Sequence, residues 1–525
     1  MVKRIVLLVC AWVLCVYDAG AQMELLKNDR LTYRPGFHFA PTRNWTNDPN
    51  GLVYYNGRYH MFYQYNPYGD LWGHMTWAHA VSKDLIKWED MPVAIPEYKN
   101  SDGTTTMIFS GTAVADKTNS SGLAGKEGKT PLVAIYTSHI VDSNGKATGQ
   151  SQSMAYSLDG IKFTLYDKNP LIDLHTKAFR DPKVFWHRKS GKWVMIVAKP
   201  TDYLLQFYGS PDLKNWKLLS SFGGGIGDKS KIWECPDIFE LPVKNAAGES
   251  KWVITVSGGH PQQNNFPGMQ YFTGTFDGNA FSADKQDSAQ YIDYGKDYYA
   301  GIVYNCLPEN DKRQIMIGWA SSWIYARNIP TKGFRGQMAI PRELSMFKIK
   351  QGKYLLCSYP VKEVEKYREK ILFNQAAISI REEKLLNGVN EDKLDIQFTL
   401  FPGTASQSGI KLLKNTRDET VVYYNKADSS IKLDRTKSGN TSFSPKFSSI
   451  ESVPVPVNRD GVPVRILVDK NSIEVFINGG KQVITDLVFP STENAVTALF
   501  AAGGEASFRD VKIWRMKSPM QPAAE

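Results

Sequence analysis

Apolar and polar residues alternate along most of this chain, in short runs that end at turn residues. Runs on either side of Asn56-Gly57 (52–64) and of Lys189-Ser190-Gly191 (184–197) predict two β-hairpins. Toward the C terminus, alternation in 393–400 and 472–479 is typical of half-buried strands. One short helix is expected within 359–372. The pattern therefore predicts an all-β protein.

A short phrase occurs four times between residues 82 and 281. Each copy has Ser or Thr, then Asp two residues later, then an aromatic residue four positions after the Asp; the copies are 82–88, 157–163, 210–216 and 275–281. The Ser and Asp side chains can bond the local backbone of a hairpin turn, and the aromatic ring can pin the returning strand. A mostly β unit that recurs every fifty to seventy-five residues or so is typical of a propeller blade. We predict a five-bladed β-propeller in 35–348; unrelated turns in a large β protein are the alternative.

The pattern of apolar and polar residues changes after residue 348. We predict a linker in 349–375 and a C-terminal β-sandwich in 376–520, because many alternating strands in succession indicate two packed sheets. Two domains are also what a chain of 525 residues is expected to form. Support of the first domain is the favoured role for the sandwich, and polysaccharide binding is the alternative.

Residues 1–21 have the features of a signal peptide. Lys3 and Arg4 precede an apolar run, 5–17, that is too short to span a bilayer, and 19–21 form a small-x-small cleavage site. We therefore expect a mature chain that begins at Gln22 and is exported to the periplasm or the medium, without a lipid anchor or membrane insertion. The formal charge of +10, or +9 without this segment, is dispersed among acidic neighbours, which argues against nucleic acid as a partner.

Cysteines and histidines give no sign of a disulfide framework or a metal site. Three widely spaced cysteines remain after the signal peptide, Cys235, Cys306 and Cys357, and the eight histidines are scattered. No metal-binding motif occurs, so we expect neither a metal nor another cofactor. The sequence does not indicate an oligomeric state.

Three acidic residues stand beside prolines in unusual local motifs. They are Asp48 in 44–51, Asp181 in Phe179-Arg180-Asp181-Pro182, and Glu234 in 233–237. A pair of carboxylates can cleave a glycosidic bond, and a third can hold the sugar. Because residues distant in sequence meet at the axis of a propeller, these three can share one pocket.

Around these residues the chain resembles glycoside hydrolase family 32, the β-fructofuranosidases that include invertases, inulinases and levanases. The resemblance continues through further motifs, at 33–39, 62–67, 72–77, 109–111, 323–326, 335–344 and 468–476. It covers nearly the whole mature chain and implies a five-bladed propeller followed by a β-sandwich. Departures at Thr46, Ala78 and Thr112 put linkage preference in doubt rather than activity.

The resemblance implies a retaining mechanism on fructosyl substrates. Asp48 would be the nucleophile, Glu234 the general acid/base and Asp181 the stabiliser of the transition state. Glu234 must then hold a proton near the working pH, for which Ile232, Trp233 and the other two carboxylates are the expected surroundings. Substrate contacts are expected from seven further residues: Asn47, Gln64, Trp72, Phe109, Ser110, Arg180 and Trp323. A structural ion pair for Arg180 and core packing for Trp72 remain open.

Release of fructose from levan, inulin or sucrose is the favoured function, and several alternatives to it are considered. An inactive fructan-binding relative and an endo-acting enzyme share the same motifs. A sialidase is disfavoured because its arginine cluster has no counterpart here. Cys235, next to Glu234, is expected to be a packed residue rather than a thiol nucleophile, since no histidine partner is evident. Exo or endo action, and levan, inulin or sucrose preference, stay open.

Overall fold

The computed structural model describes residues 32–125, 128–262, 266–491 and 495–520, and its regular structure is almost entirely β. Helical segments are short 3₁₀ turns: Arg188–Ser190, Pro200–Asp202, Ala326–Asn328, Lys350–Gly352 and Lys362–Tyr367. The last of these lies within the predicted short helix. In these ranges no helix is long and apolar enough to cross a membrane. The predicted signal peptide, 1–21, lies outside the described residues.

Five antiparallel sheets within those ranges form the blades of a propeller, as predicted. Blade I contains β1 (Asn44–Tyr55), β2 (Arg58–Asn66), β3 (Thr76–Ser82) and β4 (Trp88–Ile95). Blade II contains β5 (Tyr98–Lys99), β6 (Thr105–Ala115), β7 (Leu132–Val141), β8 (Ala147–Ser157), β9 (Thr164–Leu165) and β10 (Ile172–Thr176). Blade III contains β11 (Arg180–His187), β12 (Lys192–Lys199), β13 (Leu204–Ser210) and β14 (Lys217–Gly223).

The last two blades complete the ring. Blade IV contains β15 (Glu234–Pro242), β16 (Ser250–Ser257), β17 (Met269–Phe276), β18 (Phe281–Ala283) and β19 (Gln290–Tyr291). Blade V contains β20 (Tyr299–Val303), β21 (Gln314–Trp319), β23 (Arg342–Lys348) and β24 (Tyr354–Pro360), whereas β22 (Phe334–Arg335) leaves it and pairs in parallel with β1. The inner strands β1, β6, β11, β15 and β20 each contact the next, and β20 contacts β1. The ring is thus closed on itself, partly by β22.

The repeated phrase forms the turns that the sequence predicts. In the first copy Ser82 Oγ accepts the N–H groups of Asp84 and Leu85, and Asp84 Oδ1 accepts those of Ile86 and Lys87. The copies at 157–163, 210–216 and 275–281 also bond the local backbone through their Asp side chains. Each joins two neighbouring strands in the outer part of blades I to IV. The two predicted hairpins, β1–β2 and β11–β12, are present as well.

The C-terminal part is a sandwich of two six-stranded sheets, as predicted. One sheet has the order β25 (Arg368–Ile380), β36 (Ala506–Met516), β27 (Leu394–Phe401), β32 (Val462–Asp469), β33 (Ser472–Ile477) and β34 (Gln482–Leu487). The other has the order β26 (Lys384–Leu385), β35 (Val496–Ala502), β28 (Gln407–Lys414), β29 (Glu419–Asn425), β30 (Ser430–Lys437) and β31 (Ile450–Pro454). Their facing side chains, such as Ile466 and Ile410, form one buried core.

Strands occupy much of the segment predicted as a linker, 349–375. Strand β24 extends blade V to Pro360, and β25 begins the sandwich at Arg368, so only 361–367 connects the two. The alternation is weak here because β25 is a sheet edge with most of its side chains exposed, including Ile371. The sequence pattern therefore does not reveal this strand.

Buried charges join the sandwich to the propeller. His38 contacts Asp469 Oδ2 through Nδ1 and Glu474 Oε1 through Nε2, both at 2.9 Å. Arg342 in blade V contacts Asp293 Oδ2 at 2.8 Å and Glu474 Oε2 at 2.5 Å. These side chains are almost completely buried, so a network of buried charged groups spans the contact between the sandwich and the propeller.

The propeller axis is filled with side chains between its two ends. Lys183 Nζ donates to Asp237 Oδ2 at 3.0 Å and to the Val303 carbonyl at 2.6 Å. Asn305 Nδ2 donates to Thr112, Ala113 and Val184, which belong to blades II and III. A cavity of about 850 Å³ opens at the far end of the inner strands, lined by Asn305 among others. The acidic motifs lie at the opposite end.

Candidate active site

The five inner strands bring one polar side chain each to one end of the axis. The three acids of the sequence motifs come from different blades: Asp48 from β1, Asp181 from β11 and Glu234 from the start of β15. Ser110 from β6 and Tyr299 from β20 complete the set. The structure thus brings together carboxylates that are far apart in sequence.

A β-bulge at this end of every inner strand aims these side chains at the axis. The register shifts lie between Thr46 and Pro49, Phe109 and Gly111, Arg180 and Lys183, Glu234 and Asp237, and Tyr299 and Ile302. Asp181, Cys235 and Ala300 have left-handed backbones, with φ of 65°, 47° and 53°. A bulge bends its strand and redirects a side chain. This accounts for the prolines that follow Asp48, Asp181 and Cys235, since a bulge tolerates a residue without an N–H group.

Asp48 is a buried carboxylate that accepts hydrogen bonds from its neighbours. Asn47 Nδ2 donates to Oδ1 at 3.0 Å, and Ser110 Oγ donates to Oδ2 at 2.7 Å. Burial raises the pKa of Asp48, as does the nearby charge of Glu234, whereas the bonds from Asn47 and Ser110 lower it. These donors therefore favour the ionised form of Asp48 and oppose the effect of burial.

Asp181 lies between the backbone of blade IV and the other two acids. Its Oδ2 accepts the N–H of Cys235 at 3.0 Å. The Cys235 thiol lies 3.6 Å from that oxygen and 3.5 Å from Asp48 Oδ2, so the sulfur separates the two carboxylates. Burial raises the pKa of Asp181 to about 7; Arg180 opposes this shift, and the charges of Glu234 and Asp48 add to it.

Both oxygens of Glu234 are occupied by fixed donors. Arg180 donates to Oε1 from Nε at 3.0 Å and from Nη2 at 2.8 Å, and the Tyr299 hydroxyl donates to Oε2 at 2.6 Å. Burial raises the pKa of Tyr299 well above its usual range, so its hydroxyl keeps its proton. The Glu234 side chain is 20% exposed, so it can reach solvent at the mouth of the site.

The expected surroundings of Glu234 are wrong in one respect. Trp233 is fully buried in a core formed by blades III and IV, where its Nε1 donates to the Asp228 carbonyl. Ile232 is exposed. Adjacent residues of an extended segment point to opposite sides, which explains why Trp233 faces away from the site. Arg180 and Tyr299 contact Glu234 instead of Ile232 and Trp233.

Aromatic side chains form the walls next to the carboxylates. Trp72 and Phe109 meet edge to face with ring centroids 6.1 Å apart, and Trp323 stacks on Trp45 at 6.0 Å. Trp72, Phe109 and Trp323 are half-buried and belong to one apolar cluster with Cys235 and Tyr299. Flat ring faces of this kind can pack on the C–H groups of a sugar.

The other side chains predicted to contact the substrate differ in the partners that they already have. Asn47 and Ser110 bond directly to Asp48, whereas Arg180 is in an ion pair with Glu234. The amide of Gln64 is 2% exposed and donates to Asn50 Oδ1 and to the Ile108 carbonyl. Gln64 thus supports the strands behind the site.

Sequence reasoning missed Tyr299 and the residues of blade II that hold the Arg180 segment, among them Gln150. Tyr299 precedes a bulge made by Ala300-Gly301, which has no proline to mark it. A search for a fifth bulge, one in each blade, would have found it. In the described ranges no three His, Cys, Asp or Glu side chains are placed to hold a metal ion, and the three cysteines there are unpaired.

Comparison with known proteins matches the chain to one family along almost its whole described length. Residues 38–360 match the model "Glycosyl hydrolases family 32 N-terminal domain", and residues 363–515 match "Glycosyl hydrolases family 32 C terminal". The levanase of Bacillus subtilis (strain 168) is 43% identical over 92% of this chain and 70% of its own length. The extracellular exo-inulinase inuE of Aspergillus niger is 39% identical over 92% of this chain and 94% of its own. The crystal structure of exo-inulinase from Aspergillus awamori has a TM-score of 0.85 and 38% identity, over 93% of this chain and 99% of that one.

Proposed function

The chain belongs to glycosyl hydrolase family 32, and we propose that it is an exo-acting β-fructosidase that releases fructose from fructans and sucrose. Its relatives are a levanase and exo-inulinases that align with nearly all of this chain. It is a hydrolase of β-fructosides. The finer points, exo action and the residue roles, rest on the geometry of the site together with this likeness.

The observation that carries the proposal is the different environment of Asp48 and Glu234. Asp48 accepts bonds from Asn47 and Ser110 and is buried beside the axis. Glu234 is more open to solvent and is held on both oxygens. One buried carboxylate with its own donors and one partly exposed carboxyl group suit a nucleophile and an acid/base.

In the first step Asp48 attacks C2 of the terminal fructosyl unit while Glu234 protonates the leaving oxygen. Because Arg180 places two N–H groups on Oε1, the proton to be delivered belongs on Oε2, next to Tyr299. The fructosyl unit becomes covalently bound to Asp48, and the shortened chain or glucose leaves. Asp181 accepts hydrogen bonds from fructose hydroxyls and stabilises the positive charge that develops at C2.

In the second step Glu234 acts as the base. It removes a proton from a water molecule, which attacks C2, and the bond to Asp48 breaks with release of fructose. The anomeric configuration is retained because both steps invert it. Trp72, Phe109 and Trp323 provide the walls against which the sugar packs.

We also place the enzyme outside the cytoplasm, because a signal peptide is expected in 1–21 and a close relative is named extracellular. The partner is then a carbohydrate, either a fructan from the surroundings or sucrose. The sandwich supports the propeller through the buried charges around His38 and Arg342.

Product analysis of the chain from Gln22 onward tests the proposal. Levan, inulin and sucrose are incubated with the enzyme, and the sugars are separated early in the reaction. Fructose as the sole early product from a polymer is expected. A ladder of oligosaccharides would instead establish an endo-enzyme, and the absence of product from all three by the folded protein would favour a binding protein.

Asp48→Asn and Glu234→Gln are the matched control variants for this assay. Each preserves shape and removes one carboxylate, so we expect turnover to be lost while a fructan still binds. Hydrolysis at the wild-type rate by either variant would contradict the roles assigned above.

A further inference from the structure

Two glutamines of blade II hold the segment that carries Arg180 and Asp181. Gln150 and Gln152 lie on β8, and both side chains point to the same side because they are two residues apart. Each is paired across the sheet with a residue of β7, Gln150 with His139 and Gln152 with Thr137. All four side chains are at least nine-tenths buried. They form two parallel hydrogen-bonded pairs at the edge of the site.

The remaining polar atom of each amide forms hydrogen bonds with Phe179 or Arg180. Gln152 Nε2 donates to the Phe179 carbonyl at 2.8 Å. Gln150 Oε1 accepts the Phe179 N–H at 2.9 Å and Arg180 Nη1 at 3.3 Å. Gln150 is therefore the member that touches the guanidinium, whereas Gln152 touches backbone and Thr137.

The hydrogen-bond pattern fixes the state of His139. The groups that meet Gln150 Oε1 are obligatory donors, so this atom is the carbonyl oxygen and Nε2 is the donor. Gln150 Nε2 lies 3.1 Å from His139 Nδ1, which must then be an unprotonated acceptor. His139 is a neutral imidazole with its proton on Nε2. Burial, with the charge of Arg180 adding to it, lowers the pKa of His139 to about 4, in agreement with the neutral ring.

The His139 ring is itself locked in place. It lies flat on Phe109, with centroids 4.1 Å apart and an interplanar angle of 11°. The orientation of the Gln150 amide is set by this ring, and the amide in turn directs Nη1 of Arg180. The other guanidinium nitrogens, Nε and Nη2, then meet Glu234 Oε1.

We propose that Gln150 and His139 are positioning residues, which orient Arg180 on Glu234 and so place the Glu234 carboxyl group for delivery of its proton. The inference rests on the proposed function. A guanidinium that is no longer held at Nη1 can turn away from Glu234 Oε1. The misplaced carboxyl group then delivers its proton less well.

The test measures kcat and KM separately for sucrose in Gln150→Met, with Gln152→Met as the matched comparison. Both variants exchange a buried amide for a side chain of similar shape on the same strand. For Gln150→Met we expect about a tenfold lower kcat, with KM changed by about twofold at most. For Gln152→Met, which loses no bond to the guanidinium, we expect a lower Tm and a smaller loss of kcat.

His139→Phe is the second variant, because it keeps the stack on Phe109 and removes the acceptor for Gln150. Its kcat should fall in the same way with KM little changed, which keeps the inference testable if Gln150→Met does not fold. A wild-type kcat in Gln150→Met or His139→Phe, or an equal loss of kcat in Gln152→Met, would overturn it. A wild-type enzyme that releases no fructose would refute the proposed function itself, and this inference with it.

Discussion

The guanidinium of Arg180 places two of its nitrogens, Nε and Nη2, on a single oxygen of Glu234, at 3.0 and 2.8 Å. A third nitrogen, Nη1, is held by Gln150. A planar fork can satisfy both partners at once, and an ammonium group cannot. The orientation of the Glu234 carboxyl group thus depends on shape as well as charge.

Arg180→Lys should therefore impair catalysis although the charge is kept. We expect kcat to fall by about a hundredfold, since general acid catalysis requires a well-placed proton. Steady-state kinetics on sucrose measure the effect. Arg381→Lys, in an exposed pair with Glu505, is the control and should leave kcat unchanged. Equal activity of wild type and Arg180→Lys would show that charge alone suffices.

Tyr299→Phe removes the hydroxyl that donates to Glu234 Oε2 at 2.6 Å. A hydrogen bond to a charged group contributes about 2 kcal/mol, so kcat should fall by about tenfold or more. The adjacent residue offers a close control, because the buried Tyr298 hydroxyl has no hydrogen-bond partner among the described residues. Tyr298→Phe should leave kcat unchanged and the fold as stable or slightly more stable. Identical kinetics for the two variants would exclude a role for Tyr299.

Asp181→Asn should lower the activity and raise the stability of the folded protein at neutral pH. Burial and the other two acids raise the pKa of Asp181 to about 7, so the folded protein binds its proton more tightly than the unfolded chain does. Stability is thus lost as the pH rises from about 4 to 7, by up to a few kcal/mol. The asparagine has no proton to lose, and it tolerates the left-handed backbone at this position.

Thermal unfolding at pH 5 and pH 8 measures the gain in stability. The Tm of Asp181→Asn minus that of the wild type should be larger at pH 8. Asp510→Asn, at an exposed position with a similar φ of 52°, should show no such trend. A difference that shrinks with rising pH would mean that Asp181 is stabilised as the anion.

His38→Asn should weaken the contact between propeller and sandwich in a pH-dependent way. Burial alone would lower the pKa of His38, but the bonds to Asp469 and Glu474 outweigh it and raise the pKa to about 9. The stabilisation is therefore complete below pH 6.5 and disappears as the pH rises to 9; it amounts to about 3 kcal/mol. The loss of Tm should be larger at pH 6 than at pH 9.5.

The control for this position is His175→Asn, whose side chain is 90% exposed beside Asp173. It should not change Tm at either pH. A constant loss of Tm in His38→Asn across the pH range would show that packing, rather than the charge of the ring, stabilises the contact.

The sequence was sufficient for the features that repeat or are local. The Ser-x-Asp turns gave the blades, and the proline bulges marked Asp48, Asp181 and Glu234, because a bulge has a recognisable local chemistry. Tyr299, Gln150 and His139 were not found, since their roles arise from contacts between blades that no local pattern encodes. Strand β25 was missed for a related reason, as its exposed edge lacks alternation.

The filled axis has a consequence for how a long substrate is processed. Lys183, Asp237 and Asn305 lie behind the carboxylates and bond to one another's strands across the axis. For the exo action proposed above, released fructose would have to leave through the mouth by which the polymer entered, and the polymer would have to withdraw before the next cut. The proposed enzyme would then be distributive rather than processive: every encounter would remove one sugar, and all chains in a mixture would shorten together.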